Sequence, residues 1–156
     1  MPFSGPIVVG HDGSAFADHA LIWALEMANR ANMPVTIVRA WTMRTAPKPK
    51  TQEFGYVPPV SDFADAVQER LTEQTAAALA KFPDVEVSFK VERGQPANVI
   101  VDASVGASLL VVGPRGLGGF KGLVLGSVSE HAVEAASCPV VVVRGTENPA
   151  EASPEV

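Results

Sequence analysis

Leu109-Leu110-Val111-Val112-Gly113-Pro114-Arg115-Gly116, running on to Gly126-Ser127-Val128-Ser129-Glu130, is the passage whose reading decides the fold. Its first four residues form a short apolar run of the kind that a buried strand carries. Its end reads as a helix start, with Ser127 as N-cap and Glu130 as capping-box partner. Between the two, six of the chain's 13 glycines fall within residues 113–126. Strand, glycine-rich turn and helix start follow one another, and the rest of the chain repeats that alternation.

Upstream, Pro6-Ile7-Val8-Val9-Gly10 reads as a buried strand closed by the turn His11-Asp12-Gly13-Ser14. Ala17, Leu21, Ala24, Leu25 and Ala28 then recur at three- and four-residue spacing, which predicts an amphipathic helix over Ala15–Ala31 with Ser14 as N-cap. A second strand follows at Val35–Trp41, and a second helix over 61–81. Residues 85–91 alternate like a half-buried strand near a sheet edge. Pro96 suits the first position of a third helix. Past the glycine passage come a helix at 127–136 and a fifth apolar strand at 139–143. The order β-α-β-α-β-α-β-α-β implies an α/β fold: an open parallel sheet with helices on both faces. Residues 42–60 hold Pro47, Pro49, Pro58 and Pro59 and no helical period. That long loop reads as a tolerated insertion, with a lid or a partner surface as the competing readings. Residues 1–146 read as one domain, and 147–156 as a disordered acidic tail.

Composition narrows the function. The chain has 156 residues, 47% apolar and 19% charged, enough apolar material to build a core. No apolar run approaches the ~20 residues of a membrane span. The first ten residues carry no charged and apolar leader, so the expected location is cytoplasmic. A net charge of −5 argues against a nucleic-acid partner. The single cysteine, Cys138, allows neither an internal disulfide nor a zinc cage; it reads as a buried thiol. His19 and His131 read as structural or surface groups.

In an open α/β sheet, ligands bind beyond the carboxyl ends of the strands, where strand order reverses. The loops after strands one and four are the candidates, and both lead into a helix N-terminus, which suits an anion such as phosphate. The hydroxyls of Ser127 and Ser129 add donors there. The P-loop pattern fails, because Lys121 follows Phe120 and precedes Gly122. The Rossmann pattern G-x-G-x-x-G is absent. What stands here is Gly113-x2-Gly116-x9-Gly126-Ser127.

This spacing resembles the G-2x-G-9x-G-[ST] signature of the ATP-binding subclass of the universal stress protein family, of bacterial, actinobacterial type. The resemblance extends to residues 7–14, to Leu110-Val111-Val112-Gly113, and to Ser137-Cys138-Pro139-Val140-Val141-Val142. It implies a five-stranded sheet in the order 3-2-1-4-5, as in the adenine nucleotide alpha hydrolase-like, Rossmann-like folds. It implies ATP as ligand, with Mg²⁺ on the phosphates. It places Asp12 beside the nucleotide, within reach of that metal, and Gly10 and His11 along the same turn. Ala40 then offers backbone atoms to adenine. Val112, Gly113, Arg115 and Gly116 run along ribose and phosphates, and Gly126, Ser127, Val128 and Ser129 hold the phosphates. Asp12 has a second reading as a turn cap, and Arg115 as a solvated loop charge. Gly118, Gly119 and Gly122 exceed the family pattern.

No Ser-His-Asp or Cys-His arrangement is legible, and no catalytic residue is assigned. The expected function is that of a stress-response sensor or switch governed by ATP, acting on an unknown regulatory protein partner. A weak ATPase or self-phosphorylating enzyme is the second reading, and a nucleotide-independent dimeric scaffold the third. Cyclic AMP is an alternative ligand. Val140, Val141, Val142 and Val143 form an apolar edge in the implied topology, and an open edge of that kind favours a homodimer.

Overall fold

A computed structural model describes residues 4–116 and 125–145. Its elements are β1 (Ile7–Gly10), α1 (Ala15–Ala31), β2 (Val35–Trp41), α2 (Val60–Ala80), β3 (Val87–Arg93), α3 (Pro96–Ala103), β4 (Leu109–Val112), α4 (Ser127–Ala135) and β5 (Val140–Val142). The strands form one sheet in the order β3-β2-β1-β4-β5, every pair parallel. β1 and β4 are therefore neighbours at the reversal point. β3 lies two residues later than the alternation from 85 predicts. Gly118, Gly119, Gly122 and the acidic end 147–156 lie outside the described residues.

The two-sided burial explains why the strands read as continuous apolar runs. Ile7, Val9, Val35, Ile37 and Val111 point to one face, under α1 and Leu71 of α2. Val8, Val38, Leu110 and Val112 point to the other, against Val99, Ile100 and Ala132. Alternate residues of β1, β2 and β4 thus serve alternate layers, whereas β3 at the edge leaves Ser88, Lys90 and Glu92 to water. The buried stripe of α1 is Ala17, Ala20, Leu21, Ala24, Leu25 and Ala28, and Ser14 caps it by accepting the N–H of Ala17 at 3.1 Å. Small alanines let this helix lie close to the sheet.

Trp41, Phe63 and Val67 make a third, smaller cluster, where the long loop joins α2. Arg93 lies over the Trp41 ring at 6.0 Å. The loop is fastened to α2 by Thr51–Asp62 and Lys50–Glu69 contacts of 2.6 and 2.8 Å, while Phe54 and Val57 stand fully in water. Cys138 is half-buried, not enclosed, because it lies at the rim of the second cluster, just before β5.

The two sheet edges differ. β3 carries Lys90, Glu92 and Arg93, charges that discourage another strand from docking. β5 is Val140-Val141-Val142, each residue half-exposed.

Candidate functional site

The chain ends of β1 and β4 deliver two loops to one place. The β1 loop is shaped by Gly13, whose φ of 90° lies in the region that only glycine enters readily. Asp12 turns its carboxylate back so that Oδ1 accepts the N–H of Ser14 at 2.9 Å. The turn-capping reading of Asp12 therefore describes a bond that is made. The same carboxylate also faces the β4 loop, since a Cβ added at Gly116 would fall on Asp12 Oδ2. Only a residue without a side chain permits that approach.

The start of α4 departs from the sequence reading. Its N-cap is Gly126, not Ser127, and the N3 residue is Ser129, not Glu130. The reason lies in Ser129. Its buried hydroxyl donates to the carbonyl of Pro114 at 2.7 Å and accepts the N–H of Gly126 at 3.0 Å. Pro114 O also accepts that Gly126 N–H at 2.6 Å. Ser129 thus fastens α4 to the end of β4, and its one hydroxyl proton is already committed. It can offer a ligand its backbone N–H, not the hydroxyl donor expected of it. The glycine cap has no side chain to take up the amides of Val128 and Ser129, so these point outward with the positive end of the helix dipole.

Behind the β1 loop lies a buried polar group that the sequence reading missed. Arg39, on β2, is almost enclosed. Its Nε donates to the His11 carbonyl at 2.8 Å, and Nη1 to Gln74 Oε1 at 2.7 Å. Its Nη2 lies 2.6 Å from His11 Nδ1. The N–H of Gly13 also points at that Nδ1, at 3.3 Å. With two donors aimed at it, Nδ1 must be the unprotonated nitrogen, and Nε2–H donates to Asp18 at 2.8 Å. The ring is neutral in this arrangement. Burial holds its pKa below the ordinary 6.5, against the hydrogen bond to Asp18, and the Arg39 charge pushes the same way as burial.

A cavity of about 420 Å³ opens where these loops meet, within the size range of small-molecule sites. Gly10, His11, Asp12, Ala40, Val112, Gly113, Arg115, Gly116, Gly126, Ser127, Val128 and Ser129 all line it. The structure brings together every residue that the sequence singled out for the site. Val38, Pro96 and Ile100 complete an apolar wall, and Ser14 and Ala17 the α1 side. Those wall residues carry no chemistry legible in a single sequence; β2 and α3 bring them in through pairing and packing. Arg115 extends over the Phe16 ring at 5.2 Å, so it is held at the mouth and not merely solvated. Trp41 does not line the cavity, and neither does the loop 42–59. No cluster of three or more metal-ligating side chains occurs among the described residues.

Comparison with known proteins agrees with this geometry. The model of the universal stress protein family matches residues 4–144. A universal stress protein of Mycolicibacterium smegmatis is 34% identical over 143 residues, covering 89% of this chain and 45% of its own length. The chain thus spans about half the length of that curated relative. Universal stress protein UspA from Lactobacillus plantarum superposes with a TM-score of 0.69 at 20% identity, covering 91% of this chain and 99% of its own. A universal stress protein solved in complex with cAMP gives a TM-score of 0.66 at 25% identity, covering 90% and 96%.

Proposed function

The chain belongs to the universal stress protein family, and from that premise we propose that it is an ATP-responsive regulatory protein, a sensor or switch in the stress response. The observation that carries the reading is the meeting of two glycine-bearing loops with a glycine-capped helix N-terminus around one apolar-walled cavity. Val38, Ala40, Pro96 and Ile100 suit the adenine ring, with Ala40 at the strand end offering backbone atoms. The phosphates run past Gly113, Arg115 and Gly116 to the amides of Ser127, Val128 and Ser129, where the helix dipole favours negative charge. Asp12 is the only carboxylate among the described residues that line the cavity. One carboxylate fits Mg²⁺ that takes its other ligands from phosphate and water, as that ion usually does. Mg²⁺ would neutralise phosphate charge beside Asp12.

Arg115, at the mouth, is placed to change partners when an anion enters. No described residue lining the cavity forms an activated nucleophile with its base, and the reading is binding and signalling without turnover. The setting is cytoplasmic, and no helix among the described residues is long and apolar enough to cross a membrane. The protein works as a homodimer joined at β5, with a regulatory protein as its downstream partner.

Calorimetric titration with ATP, with and without Mg²⁺, tests the proposal. Saturable binding in the micromolar range supports it, and none up to millimolar nucleotide overturns it. A second reading, cyclic AMP as ligand, is favoured by the likeness to a protein solved with cAMP. Parallel titrations rank the two ligands.

A further inference from the structure

We propose that Arg39 is a positioning residue for the nucleotide site: from behind the β1 loop it sets the direction in which Asp12 presents its carboxylate to the cavity. The inference rests on the nucleotide-binding reading above and goes beyond it to a residue that does not line the cavity.

The sheet register carries the first part of the argument. Parallel pairing sets Gly10 against Val38, so the next residues, His11 and Arg39, stand side by side on the face covered by α1 and α2. The His11 N–H continues the ladder by donating to Val38 O at 2.9 Å. Arg39 then grips His11 at two points, the carbonyl and the ring Nδ1. These points lie on either side of the residue's own Cα, so both the peptide leading into Asp12 and the His11 side chain are held. Gln74 on α2 holds the guanidinium from its far side. The planar fork matters here, because each acceptor meets a different nitrogen and a lysine has only one.

Charge carries the second part. The three acceptors are a carbonyl, a neutral imidazole and an amide, so they solvate the guanidinium without cancelling its charge. Burial works against the charged form of Arg39; Asp12 is the strongest charge that favours it, with Asp18 also acting in that direction and Arg70 against it. The guanidinium lies on the β2 side of the β1 turn and Gly116 on the β4 side, so Arg39 acts on Asp12 through the peptide that it holds at the His11 carbonyl, while Gly116 leaves room for the carboxylate. His11 itself meets Asp18 from α1, Arg39 from β2 and Asp12 from its own loop. α2 thereby acts on the cavity through Gln74 and Arg39, although no residue of α2 lines it.

A double-mutant cycle in the full chain tests this, reading Mg²⁺-ATP affinity by calorimetry. Arg39→Met is expected to weaken binding about tenfold in the wild-type background and less than about twofold in the Asp12→Asn background, a coupling within the usual range for interacting residues. Arg39→Lys is expected to restore little. Equal losses in both backgrounds would reduce Arg39 to a stabiliser of the fold and overturn the proposal.

A second readout needs no nucleotide: the NMR shifts of the His11 ring nitrogens at one neutral pH. Removing Arg39 takes away a donor to Nδ1, so the Nδ1 shift should move in Arg39→Met. Unchanged ring-nitrogen shifts overturn the clamp even if ATP binds, whereas failure of the wild-type protein to bind ATP overturns the site reading with the His11 result standing. Gln74→Leu, at an exposed helix position, answers the question if Arg39→Met does not fold. It should weaken ATP about threefold and move the same His11 ring-nitrogen shift by loosening Arg39, and no change in either measurement counts against the proposal.

Discussion

At the scale of single residues, the site depends on close approach and on one buried ring. Gly116 faces the Asp12 carboxylate with no space for a methyl group. Gly116→Ala must displace the Asp12 carboxylate from its place beside the β4 loop, so the fold should survive while ATP affinity falls about tenfold, near 1.4 kcal/mol. Calorimetry beside a thermal melt separates the two effects. His11 yields a pH prediction. Its folded pKa is below the ordinary 6.5, so below that pH the unfolded chain binds more protons than the folded one. Stability should therefore be unaffected by His11 above about pH 6.5 and fall as pH drops from there toward the folded pKa. Urea midpoints at pH 7.5 and pH 5 should differ more in wild type than in His11→Asn; equal differences would contradict the buried neutral ring. The role of Asp12 as a cavity residue is legible from its place after a strand. The role of Arg39 is not, because a cation inside an apolar strand acquires meaning only when its neighbours are known.

At the scale of elements, most boundaries were legible and one helix start was not. α1 obeys its pattern because Ser14 can cap it and six small or apolar residues fall on one face. For α4, the pattern Ser127 with Glu130 is the start that local rules select, and the helix begins one residue earlier. The choice falls to Ser129, which reaches the carbonyl of Pro114, fifteen residues away along the chain. Local sequence rules carry no information about that partner. Ser129→Ala should cost about 1–2 kcal/mol by removing this buried hydrogen bond, a drop of about 2–8 °C in Tm for a domain of this size. It should also weaken nucleotide binding by loosening the helix start. A melt unchanged within about a degree would deny Ser129 that fastening role.

At the scale of the whole molecule, the exposed valine edge of β5 bears on assembly. Val143 donates its N–H to Val112 O, which turns the N–H of Val142 away from β4 by alternation. Val142→Pro therefore removes an outward donor and leaves the ladder to β4 intact. The homodimer reading predicts a dimeric mass for wild type by light scattering and a monomeric mass for this variant. A monomeric wild type at micromolar concentration contradicts the β5 dimer. The sequence by itself determined the parallel α/β architecture, the strand and helix order and the two loops that frame the cavity. Burial of both sheet faces writes itself into continuous apolar runs, and glycines mark where backbone must approach backbone. Only the tertiary structure decided that Gly126 caps α4, that Ser129 spends its hydroxyl on Pro114, and that Arg39 grips His11 beneath Asp12. Each of these is a contact between elements distant along the chain, and such contacts exist only once strand register has set the two partners side by side.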